Sequence, residues 1–220
     1  MALIELTLNE TLMAIFTDVA FHFKVPGGGV AFDLGFIVDG SKVIDEQGTG
    51  NFRKCLEFVK EILRIFPVTT DGIHAGLVTY GEDSQVHFNF DTDIKQLNIE
   101  ASIDSITYPG GESQTGNALY TAMTKLFPHS GRQNVAHVLI VITGSDSKDE
   151  VEPAAQELRA GGVRLFCVGV GGRYDESQLE VIANSPSDTY VVTSEFDSLM
   201  NVVLVLVPRI LAGEFHILKS

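Results

Sequence analysis

From Phe32 onward, short apolar runs alternate with longer stretches in which apolar positions recur every three or four residues, the pattern of strands alternating with helices. Strands are expected at 34–39 (LGFIVD), 74–81 (HAGLVTYG), 85–90 (QVHFNF), 137–144 (HVLIVITG), 163–171 (VRLFCVGVG) and 189–193 (TYVVT). Only Glu82-Asp83-Ser84 separates the second run from the third, so these two form a hairpin. The implied fold is α/β: a doubly wound, mostly parallel six-stranded sheet with one antiparallel edge strand and helices on both faces.

The helices between these strands carry their own punctuation. Phe52, Cys55, Leu56, Val59, Ile62, Leu63 and Phe66 share one helical face, Arg53, Glu57, Lys60 and Arg64 the other, and Pro67 stops the segment. A second helix is marked by Ala118, Leu119, Ala122, Met123 and Leu126 and ends near Pro128. A third, VEPAAQELRA, stops at Gly161-Gly162, a natural C-terminal cap. The last is expected to start at SEFD, where Ser194 and Asp197 have capping-box spacing, and to run through Leu199, Met200, Val203, Leu204 and Val207.

The chain divides into an extension at 1–30, the sheet domain at 31–208 and a tail at 209–220. The loop-forming PGGG at 26–29 separates the extension, whose alternation at Val19, Phe21, Phe23 and Val25 fits one more strand or part of a neighbouring domain. No internal repeat or low-complexity tract interrupts this plan.

Composition narrows the class of function. The 220 residues are 45% hydrophobic and 20% charged, enough for one sizeable core. Acidic residues outnumber basic ones 29 to 15, and a net charge of −14 repels phosphate backbones and attracts cations or basic protein surfaces, so nucleic acid is not the expected partner. No apolar run reaches the ~18 residues of a membrane span. The first residues carry Glu5, Glu10 and Asp18 without a basic leader, so they do not form a secretory signal peptide. Either the protein is intracellular or its true start lies upstream. Asn9-Glu10-Thr11 is an N-glycosylation sequon of low specificity. Cys55 and Cys167 lie in apolar runs and read as buried hydrophobes or as one disulfide.

In an open parallel sheet the loops leaving the carboxyl ends of the central strands converge, and ligands bind there. Three loops meet that description: DGSKV after the first strand, YPGGESQTGNAL before the second helix and TGSDSKDE after HVLIVI. Their hydroxyls and carboxylates suit a hard divalent cation such as Mg2+. Simpler roles compete: Asp-Gly-Ser also makes turns, and Thr115 also suits a helix cap. The six histidines lack zinc spacing, and His74, His87 and His137 fall in strands. Gly169, Gly171 and Gly172 do not complete a dinucleotide loop, because Tyr stands at 174. No Gly-x-Ser-x-Gly elbow or phosphate loop is present, and a phosphatase-type Asp-x-Asp would need its first Asp at Ile37. Without a nucleophile beside a base, the chain reads as a binding module.

DLGFIVDGSKV, GGESQTGNAL, HVLIVITG and GVRLFCVGVGG, in that order and spacing, resemble a von Willebrand factor A domain over residues 32–208, and FPHSGRQNVAHVLIVIT resembles its extracellular-matrix branch, collagen VI and the matrilins. The resemblance implies a metal-ion-dependent adhesion site built from Asp-x-Ser-x-Ser, a Thr from the second loop and an Asp after the fourth strand. Asp39, Ser41 and Thr115 match; Val43 and Gly144 replace the second Ser and the Asp, and Asp146 is the nearest carboxylate that could swing in. It therefore implies a degenerate site that requires no cofactor and holds Mg2+ or Mn2+ weakly or not at all. The implied function is a secreted, non-enzymatic adhesion module binding collagen or another matrix protein. The alternatives are an intracellular scaffold of the same fold and a hydrolase or phosphotransferase.

Overall fold

The computed structural model describes residues 31–66, 68–92, 96–130, 132 and 135–217; the expectations for residues 1–30 and for Pro67 lie outside the described residues. Six strands form one sheet: β1 (Phe32–Asp39), β2 (His74–Tyr80), β3 (Ser84–Phe88), β4 (Ala136–Thr143), β5 (Val163–Val170) and β6 (Val191–Ser194). Their order is β3-β2-β1-β4-β5-β6, and every pairing is parallel except β2 with β3. β1 is central and buried along its whole length, the two aspartates of FDLGFIVD included.

The helices are α1 (Lys42–Glu46), α2 (Asn51–Ile65), α3 (Gln96–Asp104), α4 (Thr115–Thr121), α5 (Glu152–Ala160), α6 (Glu176–Ile182), α7 (Ser187–Tyr190) and α8 (Val202–Ile217). One core lies on each face of the sheet. On the first, Phe36, Val38, Ile140 and Val168 meet Leu56, Val59 and Leu63 of α2 and Val203, Leu206 and Ile210 of α8. On the second, Ile37, Val78 and Val141 meet Leu119 of α4, Leu158 of α5 and Leu179 of α6. Each such side chain contributes roughly 1.5–3 kcal/mol by leaving water.

Gly35 and Gly76 are paired across β1 and β2 and form a notch on the second face. A Cβ on Gly76 would stand 2.3 Å from a methyl of Leu126. Leu126 reaches that notch from a π-helical turn, Ala122–Leu126, that continues α4, followed by a 3-10 turn at Phe127–His129. The Gly161-Gly162 stop is as expected, with Gly162 at φ +83° after α5.

Two expectations change. Ser194 and Asp197 form no capping box: Ser194 ends β6 and its hydroxyl donates to the Glu195 carbonyl, while Asp197 pairs with Lys54. The intervening turn is 3-10, Phe196–Asn201, and α8 follows it, running through Pro208 to Ile217 with Ile210 and Leu211 buried. Cys55 and Cys167 are free, buried thiols belonging to the cores on opposite faces of the sheet, which excludes a bond between them. Burial raises both thiols far above their ordinary range.

Candidate functional site

Strand register assembles the site. Asp39 is level with Tyr80 of β2, and Val38 with Ile142 of β4, so Asp39, Tyr80 and Thr143 stand in a row at the carboxyl ends of adjacent strands. Ile37, Val78 and Val141, two residues back on each strand, share the second core, so the alternation of side chains puts all three on that face.

Asp39 has no exposure and both its oxygens are engaged. Oδ1 accepts from the Ser41 amide at 2.8 Å. Oδ2 accepts from the Thr143 hydroxyl at 3.0 Å, the Gly144 amide at 3.2 Å and the Ser145 hydroxyl. Behind them run two hydroxyl relays. Ser41 Oγ lies 3.2 Å from Ser145 Oγ, whose proton is committed to Asp39, so Ser41 donates. By the same reasoning Thr115 donates to Tyr80 at 2.8 Å, and Tyr80 donates to Thr143 at 3.2 Å. Burial pushes the Asp39 carboxyl above its ordinary range, against the lowering effect of the hydrogen bonds from Ser145, Ser41 and Gly144. Burial, then the nearby Asp39 charge, push the Tyr80 hydroxyl well up.

The structure thus joins Asp39 directly to Ser41 and links Thr115 to them only through Tyr80 and Thr143. Thr115 does not cap its helix. It is the first residue of α4, and the cap comes from the β4–α5 loop: Ser147 Oγ accepts from the Thr115 amide, and the Asp149 carboxylate accepts from Gly116 at 2.9 Å and Asn117 at 2.7 Å. Asp146 stays outside the cluster, its side chain 54% exposed and 3.4 Å from Lys148 Nζ. The roles of Tyr80, Thr143, Ser145 and Asp149 depend on strand register and loop path, which the sequence pattern does not carry.

A hard divalent ion does not suit this donor set. Asp39 is the cluster's one carboxylate, and its acceptor directions are largely taken by protein donors. A side chain at Gly144 has no room either: its Cβ would stand 2.7 Å from Ile44 Cδ1 and 2.8 Å from the Val170 carbonyl oxygen.

Other candidate chemistry is absorbed by packing. His87 faces Thr79 with Nε2 2.7 Å from Oγ1, and His137 stacks edge-on to Phe127. The Gly171 and Gly172 amides are committed, to the Ser194 carbonyl and to Gln47 Oε1.

Human collagen alpha-1(XXI) chain is 33% identical over 159 residues, covering 72% of this chain and 16% of the relative. Human vitrin is 34% identical over 180 residues, covering 81% of this chain and 25% of the relative. The chain therefore spans a quarter or less of the length of these relatives. The solved structure of proximal thread matrix protein 1 from the mussel byssus, with a zinc-occupied MIDAS motif, has the same fold, at TM-score 0.76 and 22% identity over 83% of this chain and 48% of that one. The von Willebrand factor type A domain model matches residues 33–203, and on that match, together with these relatives, the chain belongs to the von Willebrand factor type A domain family.

Proposed function

We propose that this chain is a non-catalytic adhesion module of an extracellular-matrix protein, binding a collagen or another matrix protein through the carboxyl edge of its sheet without an obligatory divalent ion. The observation that carries this is its 33% and 34% sequence identity to a collagen chain and to vitrin over 72% and 81% of the chain. Secretion belongs to the same proposal and follows the matrix relatives; among the described residues no helix is long and apolar enough to cross a membrane.

The edge is furnished for protein contact. Tyr108 is 40% exposed, packs tilted against Phe52 with ring centroids 5.5 Å apart, and donates to the Ser41 carbonyl at 2.8 Å. A rigidly held tyrosine offers a large contact area at small entropic cost. The Lys42–Glu112 pair beside it links the first loop to the second. In the mussel protein zinc occupies the MIDAS motif; here Asp39, Ser41 and Thr115 hold loops in place by hydrogen bonds, and the partner touches protein groups directly.

The test is surface plasmon resonance of the purified chain over immobilised collagens and matrilin, in EDTA and in Mg2+. Saturable binding that EDTA does not weaken is expected. Absence of binding to every matrix protein tried would count against adhesion, and phosphate-ester hydrolysis abolished by Asp39→Ala would replace it with an enzyme.

A further inference from the structure

The Asp39 cluster departs from the family motif in a way that goes beyond missing ligands. Gly144 stands where the family's carboxylate would be, and the space around it is filled: a Cβ there would lie 2.7 Å from Ile44 Cδ1, 2.8 Å from the Val170 carbonyl oxygen and 3.3 Å from Phe196 Cζ. Val170 ends β5, so its carbonyl cannot retreat without moving the strand. The next residue, Ser145, turns its hydroxyl onto Asp39 Oδ2 and lies 3.2 Å from Ser41 Oγ. That one side chain joins the first and third loops, the connection a cation bridging the two would make.

Gln47 makes a second neutral connection. Its Nε2 donates to the Gly144 carbonyl at 2.9 Å and to the Val43 carbonyl at 3.2 Å, and its Oε1 accepts from the Gly172 amide at 3.0 Å. The segment after β1, the segment after β4 and the segment after β5 thus meet on one uncharged amide.

We propose that Ser145 and Gln47 take the place of the divalent ion, fixing the carboxyl-edge loops in a single metal-insensitive arrangement closed against restoration of the family site. The adhesion reading supplies only the place where a partner would bind. Because the connections are hydrogen bonds between neutral groups and one buried carboxylate, removing free cations leaves them intact.

The experiment is thermal unfolding of the purified full chain in EDTA and in excess Mg2+, Mn2+ or Zn2+, with calorimetric titration of each metal. The wild type should keep its Tm within about 1 °C throughout, whereas an ion at a hundredfold its Kd would raise it by roughly 5 °C or more. Ser145→Ala should lower Tm by roughly 5 °C with no recovery in any metal. Gly144→Asp should lower Tm and still bind no metal. If Ser145→Ala does not fold, Gln47→Ala reports on the same lock, with exchange of the Gly172 amide accelerated by about tenfold or more. Sub-millimolar metal binding by the wild type, recovery of Ser145→Ala by Mn2+, metal uptake by Gly144→Asp at unchanged Tm, or unchanged Gly172 exchange in Gln47→Ala would each overturn the proposal. None of those outcomes bears on whether the chain binds matrix proteins, which the resonance experiment decides separately.

Discussion

Asp33 and Asp39 stand on the same face of β1, both without exposure, and are treated in opposite ways. Asp33 Oδ1 accepts from Arg132 Nε at 3.0 Å and from Nη2, Oδ2 accepts from the Ser130 hydroxyl, and His137 Nδ1 lies 3.3 Å away. Arg132 also donates to the Gly72 carbonyl at 2.7 Å, tying the amino end of the sheet together. Burial raises the Asp33 carboxyl, but contacts with His137, Ser130 and Arg132 outweigh it, and the net result lies below the ordinary range. The stability Asp33 contributes is therefore complete above about pH 3.9 and is lost as pH falls through its lowered value. Urea unfolding across the acid range should show a smaller loss in Asp33→Asn than in the wild type. Arg132→Leu, by stranding a buried carboxylate, should cost about 3–5 kcal/mol in urea unfolding at neutral pH. At the other end of the strand Asp39 has hydroxyls and amides and no cation. The sequence shows two aspartates in one apolar strand; which one acquires a guanidinium depends on where residue 132 arrives. At the proposed binding edge, Tyr108→Ala should weaken a matrix partner by about tenfold or more in the resonance assay.

Among the elements, α4 is the one whose position depends on chemistry from elsewhere. Its first amides are satisfied by Ser147 and Asp149, more than thirty residues downstream, rather than by Gln114 or Thr115. Removing a carboxylate that caps two amides at a helix start costs about 1–2 kcal/mol. Asp149→Ala should show that loss in urea unfolding, with faster exchange of the Gly116 and Asn117 amides by NMR. The six strands were legible to within two residues because short apolar, β-branched runs are bounded by turn and helix signals, even where, as in β3 and β6, burial is partial. α1 and α3 were not: α1 has five residues with Ile44 its one buried residue, and α3 shows inward only Ile99 and Ile103 among its described side chains. α6 did carry a local signal, Asp175 accepting from the Ser177 amide at 2.9 Å, but only Leu179 and Ile182 mark its apolar face. The capping-box spacing at Ser194 failed because pairing with β5 claims that residue for β6.

For the whole molecule, the net charge of −14 sets how partners approach. Association with a basic matrix protein should slow as NaCl rises, because screening shortens the reach of the field, while polyanions such as DNA stay unbound. Stopped-flow or resonance association rates at low and high salt check this; a salt-independent rate would mean that apolar contact at Tyr108 dominates.

The sequence by itself determined the α/β class, the antiparallel hairpin edge, the strand positions and the convergence of three loops, since apolar periodicity and short connections leave few other arrangements. Set against the motif that the family resemblance implies, it also has Val43 and Gly144 where a Ser and an Asp are expected. Only the tertiary structure decided what fills the gap. Ser145, Thr143 and Gly144 reach Asp39 from more than a hundred residues away, Tyr80 links Thr115 to them by its register in β2, and the wall of Ile44, Val170 and Phe196 closes the space at Gly144. Motif spacing records which residues lie near one another along the chain, whereas hydrogen-bond saturation and steric room are properties of the folded interior, and these decide what the site can hold.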